Sequence, residues 1–346
     1  MPAPARAGQG LGEPATGKGE PGKLPTNVGM AARVCRQREE GAVVQHLTDR
    51  QPALLTATDA GRLGLPRVAH ALATFSRRYP VGVGAALVLC MIALLAVLAP
   101  MVAPYDPNFQ HFSDLQQAPS ATYWLGTDYE GRDVLSRLIY GGRVSLTIAV
   151  LSVLLGTVVG SAWGVASAYL GGTVDLLSQR VVEVLMSFPT LVLAMVFLVA
   201  LGGGIWTVII AIAVTRLPFG VRVIRSVTLA IKELPYVDAA RTVGASDLRI
   251  MAGHIVPQCI PAFLVLATAH LGTAIVIEAT LGFLGIGITP PTASWGNMLG
   301  GVVANTYKPL WWLVVFPGLS ISLTVFAFNL LGDTLRDILD PKMRGG

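Results

Sequence analysis

The sequence predicts an all-α, polytopic membrane protein with six transmembrane helices. Three observations carry that expectation. Of 346 residues, 53% are hydrophobic and 13% charged, against roughly 25% charged in soluble domains, and mean hydropathy is +0.62. Apolar runs long enough to cross a bilayer recur between short polar breaks. Basic residues are unevenly placed. With six spans and both ends inside, the inner segments near the membrane hold 13 basic residues, including Arg67, Arg77, Arg78 and Arg180. The outer loops hold only Arg132, Arg137, Arg143 and Lys308. That asymmetry predicts a multi-pass protein of the cytoplasmic membrane with both termini cytosolic.

Taken in order, residues 1–66 are rich in Gly, Pro, Ala and charge and read as a disordered cytosolic tail. The stretch Gly12 to Lys18 has P-loop spacing, but Gly19 stands where a magnesium-binding Ser or Thr belongs, Pro14 interrupts it and no strand precedes it. Leu63 to Tyr79 reads as an interfacial helix held on the inner side by its arginines. Span 1 runs from Val81 to about Val102, ended by Pro100 and Pro104, and a polar outer loop follows to residue 143. Residues 67–143 thus group the interfacial helix, span 1 and the outer loop. Span 2 covers Val144 to Leu170 without a charge and breaks at Gly171 and Gly172.

Residues 144–333 hold spans 2–6. After span 2, Asp175, Gln179, Glu183 and Ser187 recur every fourth residue, an amphipathic cytosolic helix leading into span 3. Gly202 to Gly204 separate span 3 from span 4, which starts near Ile205. Arg216 lies about 16 Å along span 4. It either snorkels from a tilted helix or faces the translocation cavity or a partner. Span 5, Ala262 to Ile286, contains His270 and Glu278, eight apart and not at metal-ligand spacing. An outer loop from Ile288 to Lys308, span 6 from Leu310 to Leu331, and a cytosolic tail at 334–346 complete the chain.

Several function classes lack their signals. Cys35, Cys90 and Cys259 are widely separated and suggest neither a disulfide framework nor a zinc site. The net charge of +5 lies mainly in the tail and the central loop, without basic clusters interleaved with aromatics, so no nucleic-acid partner is expected. No catalytic constellation and no metal ligand set emerge, so the chain is not expected to be an enzyme. An ion-coupled secondary transporter is a rival reading. It would need internal repeats or broken helices with charged midplane residues, and no clear repeat relates the two halves.

The most polar segment of the apolar half is ELPYVDAARTVGASDLRIMAGHIVPQCIP, residues 233–261. Pro235 suits a helix start, and Gly244 can end that helix with a left-handed residue. Ser246 can cap a second helix from Asp247 to about Ile255, before Pro257 and Pro261 bend the chain into span 5. Asp238-Ala239-Ala240, Gly244 and Ile255-Val256-Pro257 resemble the EAA loop of ABC-importer permeases, with Asp238 for the usual Glu and Val256 for the usual Leu. Three more stretches resemble the C-type permeases of dipeptide, oligopeptide and nickel importers: WLGTDYEGRDVLSRLIYGGRVSLTIA from Trp124, EATLGFLGIGITPPTASWGNML from Glu278, and WWLVVFPGLSISLTVFAFNLLGDTLRDILDP from Trp311.

The resemblance implies the type I importer permease fold and a permease subunit taking up di- or oligopeptides, with nickel or a nickel chelate as the alternative solute. It implies a B-type permease partner, two ABC ATPases and an extracytoplasmic substrate-binding protein. No cofactor would bind directly, ATP and Mg belonging to the ATPases. Pro235, Asp238, Ala239, Ala240, Gly244, Ser246, Ile255 and Pro257, within a coupling loop at 233–257, would meet an ATPase. Gly126, Asp128, Gly131, Arg132 and Asp133 would contact the binding protein or gate the outer mouth. Arg216 and Glu278 are candidates for the translocation path.

Overall fold

The structure is a computed structural model that describes residues 79–304 and 310–339. The tail at 1–66, the P-loop-like stretch, Cys35, the interfacial helix except Tyr79, Lys308 and the chain end beyond 339 lie outside the described residues. Within them the chain is helical, with one isolated bridge between Thr127 and Asp133. Helix α1 spans Pro80–Val97 and a short α2 spans Ala99–Val102. Then come α3 (Val134–Leu170), α4 (Gly172–Ser187), α5 (Thr190–Leu201) and α6 (Ile205–Lys232). Next are α7 (Pro235–Thr242), α8 (Asp247–Ile250), a π-turn at Met251–Ile255, and α9 (Val256–Phe283). Helices α10 (Trp295–Ala304) and α11 (Trp311–Leu339) close the sequence. Five helical stretches are long and apolar enough to cross a membrane. They become six if the bent pair α4–α5 counts as one span.

The helices gather into two ends. At one end, Lys232 Nζ of α6 donates to the Ala168 carbonyl (3.1 Å), Tyr169 bonds Asp247 (2.8 Å), and Gly82 of α1 lies against Thr334 of α11. At the other, Trp312 Nε1 donates to the Thr127 carbonyl (3.1 Å) and Trp295 Nε1 to the Leu138 carbonyl (3.0 Å). The centre of the bundle is α3 packed on α6. Gly156, Gly160 and Gly164 form a stripe at four-residue spacing, and a Cβ on any of them would strike the carbonyls of Ala213, Leu217 or Val221. Small residues of this kind let membrane helices pack backbone to backbone.

Several expected boundaries are corrected. Span 2 begins at Val134, ten residues before Val144, so the boundary at 143/144 falls inside a helix. Asp133 caps it by accepting from Ser136 N (2.8 Å), and Arg137 finds a carbonyl partner at Pro107 (3.0 Å). Charge marks the edge in the sequence, yet paired charges continue a helix. The amphipathic helix and span 3 are separate elements, α4 and α5, which meet at 93° because Pro189 follows the extended Phe188. Helix α5 alone has 12 residues, about 18 Å. Span 1 breaks at Leu98, since Pro100 removes an N–H and crowds the preceding turn.

Around Pro257 the chain does not bend into a new helix. The π-turn joins α8 to α9, with Val256 N–H reaching the Met251 carbonyl. Pro257 then occupies the first turn of α9, where an N–H is dispensable. The outer loop after span 5 contains α10, seated so tightly that a Cβ on Gly296 would meet Ala279. Helix α11 runs to Leu339, so the tail boundary at 333/334 also falls within a helix.

Candidate functional site

The segment 233–257 folds as two short helices around a glycine joint. Pro235 opens α7 after Leu234, whose backbone is extended. Gly244 adopts φ +85°, and the turn around it forms a Schellman motif. Gly244 N donates to the Arg241 carbonyl (2.9 Å) and Ala245 N to that of Ala240 (3.1 Å). Ser246 stands at the cap position of α8, but its hydroxyl makes no capping bond. The neighbouring Asp247 instead accepts from Tyr169.

Two faces divide this segment. Val237, Ile250 and Ile255 are fully buried in a cluster with Val165, Ile224, Ile231 and Cys259. Each such side chain contributes about 1.5–3 kcal/mol by burial. Val243 (87% exposed) and Leu248 (76% exposed) point outward. Asp238 and Ala239 share the exposed face with Pro235, Gly244, Ser246 and Pro257. Ala240 and Ile255 turn inward, Ala240 partly buried on the same cluster. The candidate set therefore divides into residues that present a surface and residues that hold it.

Polar contacts fix the base of the segment. Arg225 grips Asp175 with two hydrogen bonds (2.7 and 2.5 Å), and Ser167 Oγ donates to the same carboxylate (2.6 Å). Arg241 lies over the Tyr169 ring, 5.4 Å from its centroid, and pairs with Asp238 at 3.0 Å. The Asp175–Arg225 pair and the role of Tyr169 were not foreseen from the sequence. Asp175 was legible as part of a polar stripe, but nothing local links it to a residue fifty positions away.

The outer candidates lie together in a closed knot. Asp128 is buried and accepts from the backbone N–H of Glu130 and Arg132 (both 2.9 Å) and from Arg132 Nε (2.7 Å). Arg132 also bonds Glu130 (2.9 Å). Gly126 (φ +80°) and Gly131 (φ +74°) lie against the Gln117 and His111 carbonyls, where no side chain fits. Tyr123 donates to Asp114 at 2.9 Å. Burial, then that carboxylate, pushes its hydroxyl up to about 12. Phe109, Phe112 and Trp124 of the same loop are exposed.

Arg216 and Glu278 sit apart inside the bundle. Arg216 is 6% exposed, with its Nε buried and without a partner among the described residues. Glu278 is 1% exposed, with the Ser145 and Ser294 side chains beside its carboxyl group.

Comparison with known proteins places this arrangement. The family described as binding-protein-dependent transport system inner membrane component matches residues 143–345, and the N-terminal TM domain of oligopeptide transport permease C matches residues 71–119. The glutathione transport system permease protein GsiD of Escherichia coli O1:K1 / APEC is 41% identical over 271 residues, covering 78% of this chain and 89% of that protein. The protein of the same name from Shigella boydii serotype 4 (strain Sb227) matches with the same identity and coverage. A structure of the MetNI methionine ABC transporter in an inward facing conformation is 19% identical, covers 60% of this chain and 97% of that one, and has a TM-score of 0.48. The chain belongs to the family of binding-protein-dependent transport system inner membrane components and is a permease of an ABC importer.

Proposed function

We propose that this chain is the C-type permease of an ATP-driven importer of short peptides, with glutathione the first solute to try. The single observation that carries the mechanism is the two-faced segment 233–257. Its inner face is anchored on the bundle, and its outer face presents Val243 and Leu248 with the small side chain of Ala239. Val243 and Leu248, with the exposed Leu234, Tyr236 and Val256 of the same segment, suit docking against a partner. In this reading the loop faces the cytosol and meets one of two ATPase subunits, which carry ATP and Mg. A B-type permease lines the other half of the path. On the outer side, the Asp128 knot positions Phe109, Phe112 and Trp124 toward a substrate-binding protein. Nucleotide binding by the ATPases moves the loop, the clamp at Tyr169 and Asp175 passes that motion to α3, α4 and α6, and the spans change access. Each ligand shifts this equilibrium only by its differential affinity for the two states.

The test is uptake of labelled glutathione and of a tripeptide into proteoliposomes holding the whole complex. ATP-dependent accumulation that survives a proton uncoupler supports the reading. Uptake that collapses with the proton gradient and ignores ATP sinks it in favour of ion coupling.

A further inference from the structure

Arg216 on α6 and His270 on α9 are buried in the bundle, 6% and 9% exposed. Arg216 forms no hydrogen bond or ion pair among the described residues; its Nε is buried without a partner, and so is His270 Nδ1. Their helices meet here: Phe219, one turn on from Arg216 along α6, meets the His270 ring edge-on at 5.6 Å. A charged side chain only 6% exposed within a membrane bundle and without an anion beside it is costly, and intramembrane charges of this kind mark solute pathways.

No carboxylate of the described chain meets this need. Glu278 lies eight residues beyond His270, about 12 Å along α9, beside Ser145 and Ser294. Asp175 is committed to Arg225, nine residues or about 13 Å from Arg216 along α6. A lipid phosphate is excluded by depth, since Arg216 is about 16 Å from the start of α6, half the thickness of the hydrocarbon core. An anion that arrives and leaves fits these constraints. We infer that Arg216 and His270 form an intramembrane site for a carboxylate of the passing solute. The inference rests on the peptide-permease reading, because every short peptide brings a terminal carboxylate. A guanidinium recognises it in paired geometry, and an imidazole beside it adds a second nitrogen donor.

The test uses the assembled complex in nanodiscs, with Cys35, Cys90 and Cys259 replaced by serine and His270→Cys introduced. Two methanethiosulfonate reagents, one bearing a sulfonate and one a trimethylammonium group, are compared during ATP turnover, each normalised to its rate with a free thiol. The expected result is about tenfold faster modification by the anionic reagent, lost in the added Arg216→Gln variant and slowed by excess imported solute. Equal rates, or no modification in any nucleotide state, overturn the inference. So does loss of the second permease on Arg216→Gln, which would assign the charge to the subunit interface. If His270→Cys does not assemble, Phe219→Cys is read with the same reagents. Failure of the unaltered complex to import peptide would sink the peptide reading while leaving the labelling ratio to be judged alone.

Discussion

Gly244 is the residue whose replacement tests the loop most sharply. Its φ of +85° lies in the left-handed region, and no atom lies within 4 Å of where a Cβ would sit. A side chain there meets no steric clash, so the cost is backbone strain alone, about 1–2 kcal/mol for an ordinary L-residue and more for a β-branched one. The strain can be relieved only by opening the Schellman turn, which gives up two hydrogen bonds worth about 1 kcal/mol each. Either route gives about 2 kcal/mol for Gly244→Val, near thirtyfold in the population of the docking-competent loop. Gly244→Asn keeps most of it, because asparagine tolerates this conformation. The assay is co-purification of the ATPase subunits and stimulated ATP turnover in nanodiscs, with membrane insertion unchanged. The reasoning predicts the order Gly, Asn, Ala, Val. Asparagine as damaging as valine, or valine coupled like the parent, would refute it.

Further expectations follow from the same geometry. Ala239→Glu leaves the loop folded and weakens ATPase association, whereas Ala240→Glu pushes a charge toward the buried cluster, at about 1–3 kcal/mol, and raises protease sensitivity at 233–257 as well. Asp128→Asn lowers the thermal stability of the detergent-solubilised chain by about 1.5–3 kcal/mol, because it weakens three hydrogen bonds at once; an unchanged melting temperature would show that the knot is not structural. A double-mutant cycle on Asp175→Asn and Arg225→Gln gives a coupling of about 0.5–3 kcal/mol, and strict additivity would deny the clamp. Thr292→Cys reacts with impermeant thiol reagents from outside and Ser246→Cys from inside, and the reverse pattern would invert the topology.

The spans were legible because an uncharged apolar run of bilayer length has little use outside a membrane. The left-handed Gly244 was legible because glycine between two helix-forming stretches has a physical use. The failures share one cause: partners, near or far along the chain, that a run of hydropathy does not show. Val134 begins a helix because the Asp133 carboxylate caps it and Arg137 reaches Pro107, neither visible in a hydropathy trace. Pro257 reads as a break, yet the π-turn before it absorbs the missing N–H. Asp128 and Arg132 read as contacts for a binding protein or gate, because a sequence does not show that they pair with each other. Ala239 and Ala240 look alike in the chain, and only the packing of Val237 and Ile250 decides which one faces out.

The central claim, that segment 233–257 is the surface on which an ATPase docks, is tested most directly by site-directed cross-linking. With Val243→Cys in the otherwise cysteine-free chain and single cysteines around the ATPase surface groove, oxidation in native membranes is predicted to join the permease to the ATPase, with a yield that changes when ATP is added. Thr292→Cys, at the opposite end of the bundle, is predicted to give no such product. Absence of any Val243→Cys adduct with the ATPase, or an equal yield from Thr292→Cys, would contradict the account.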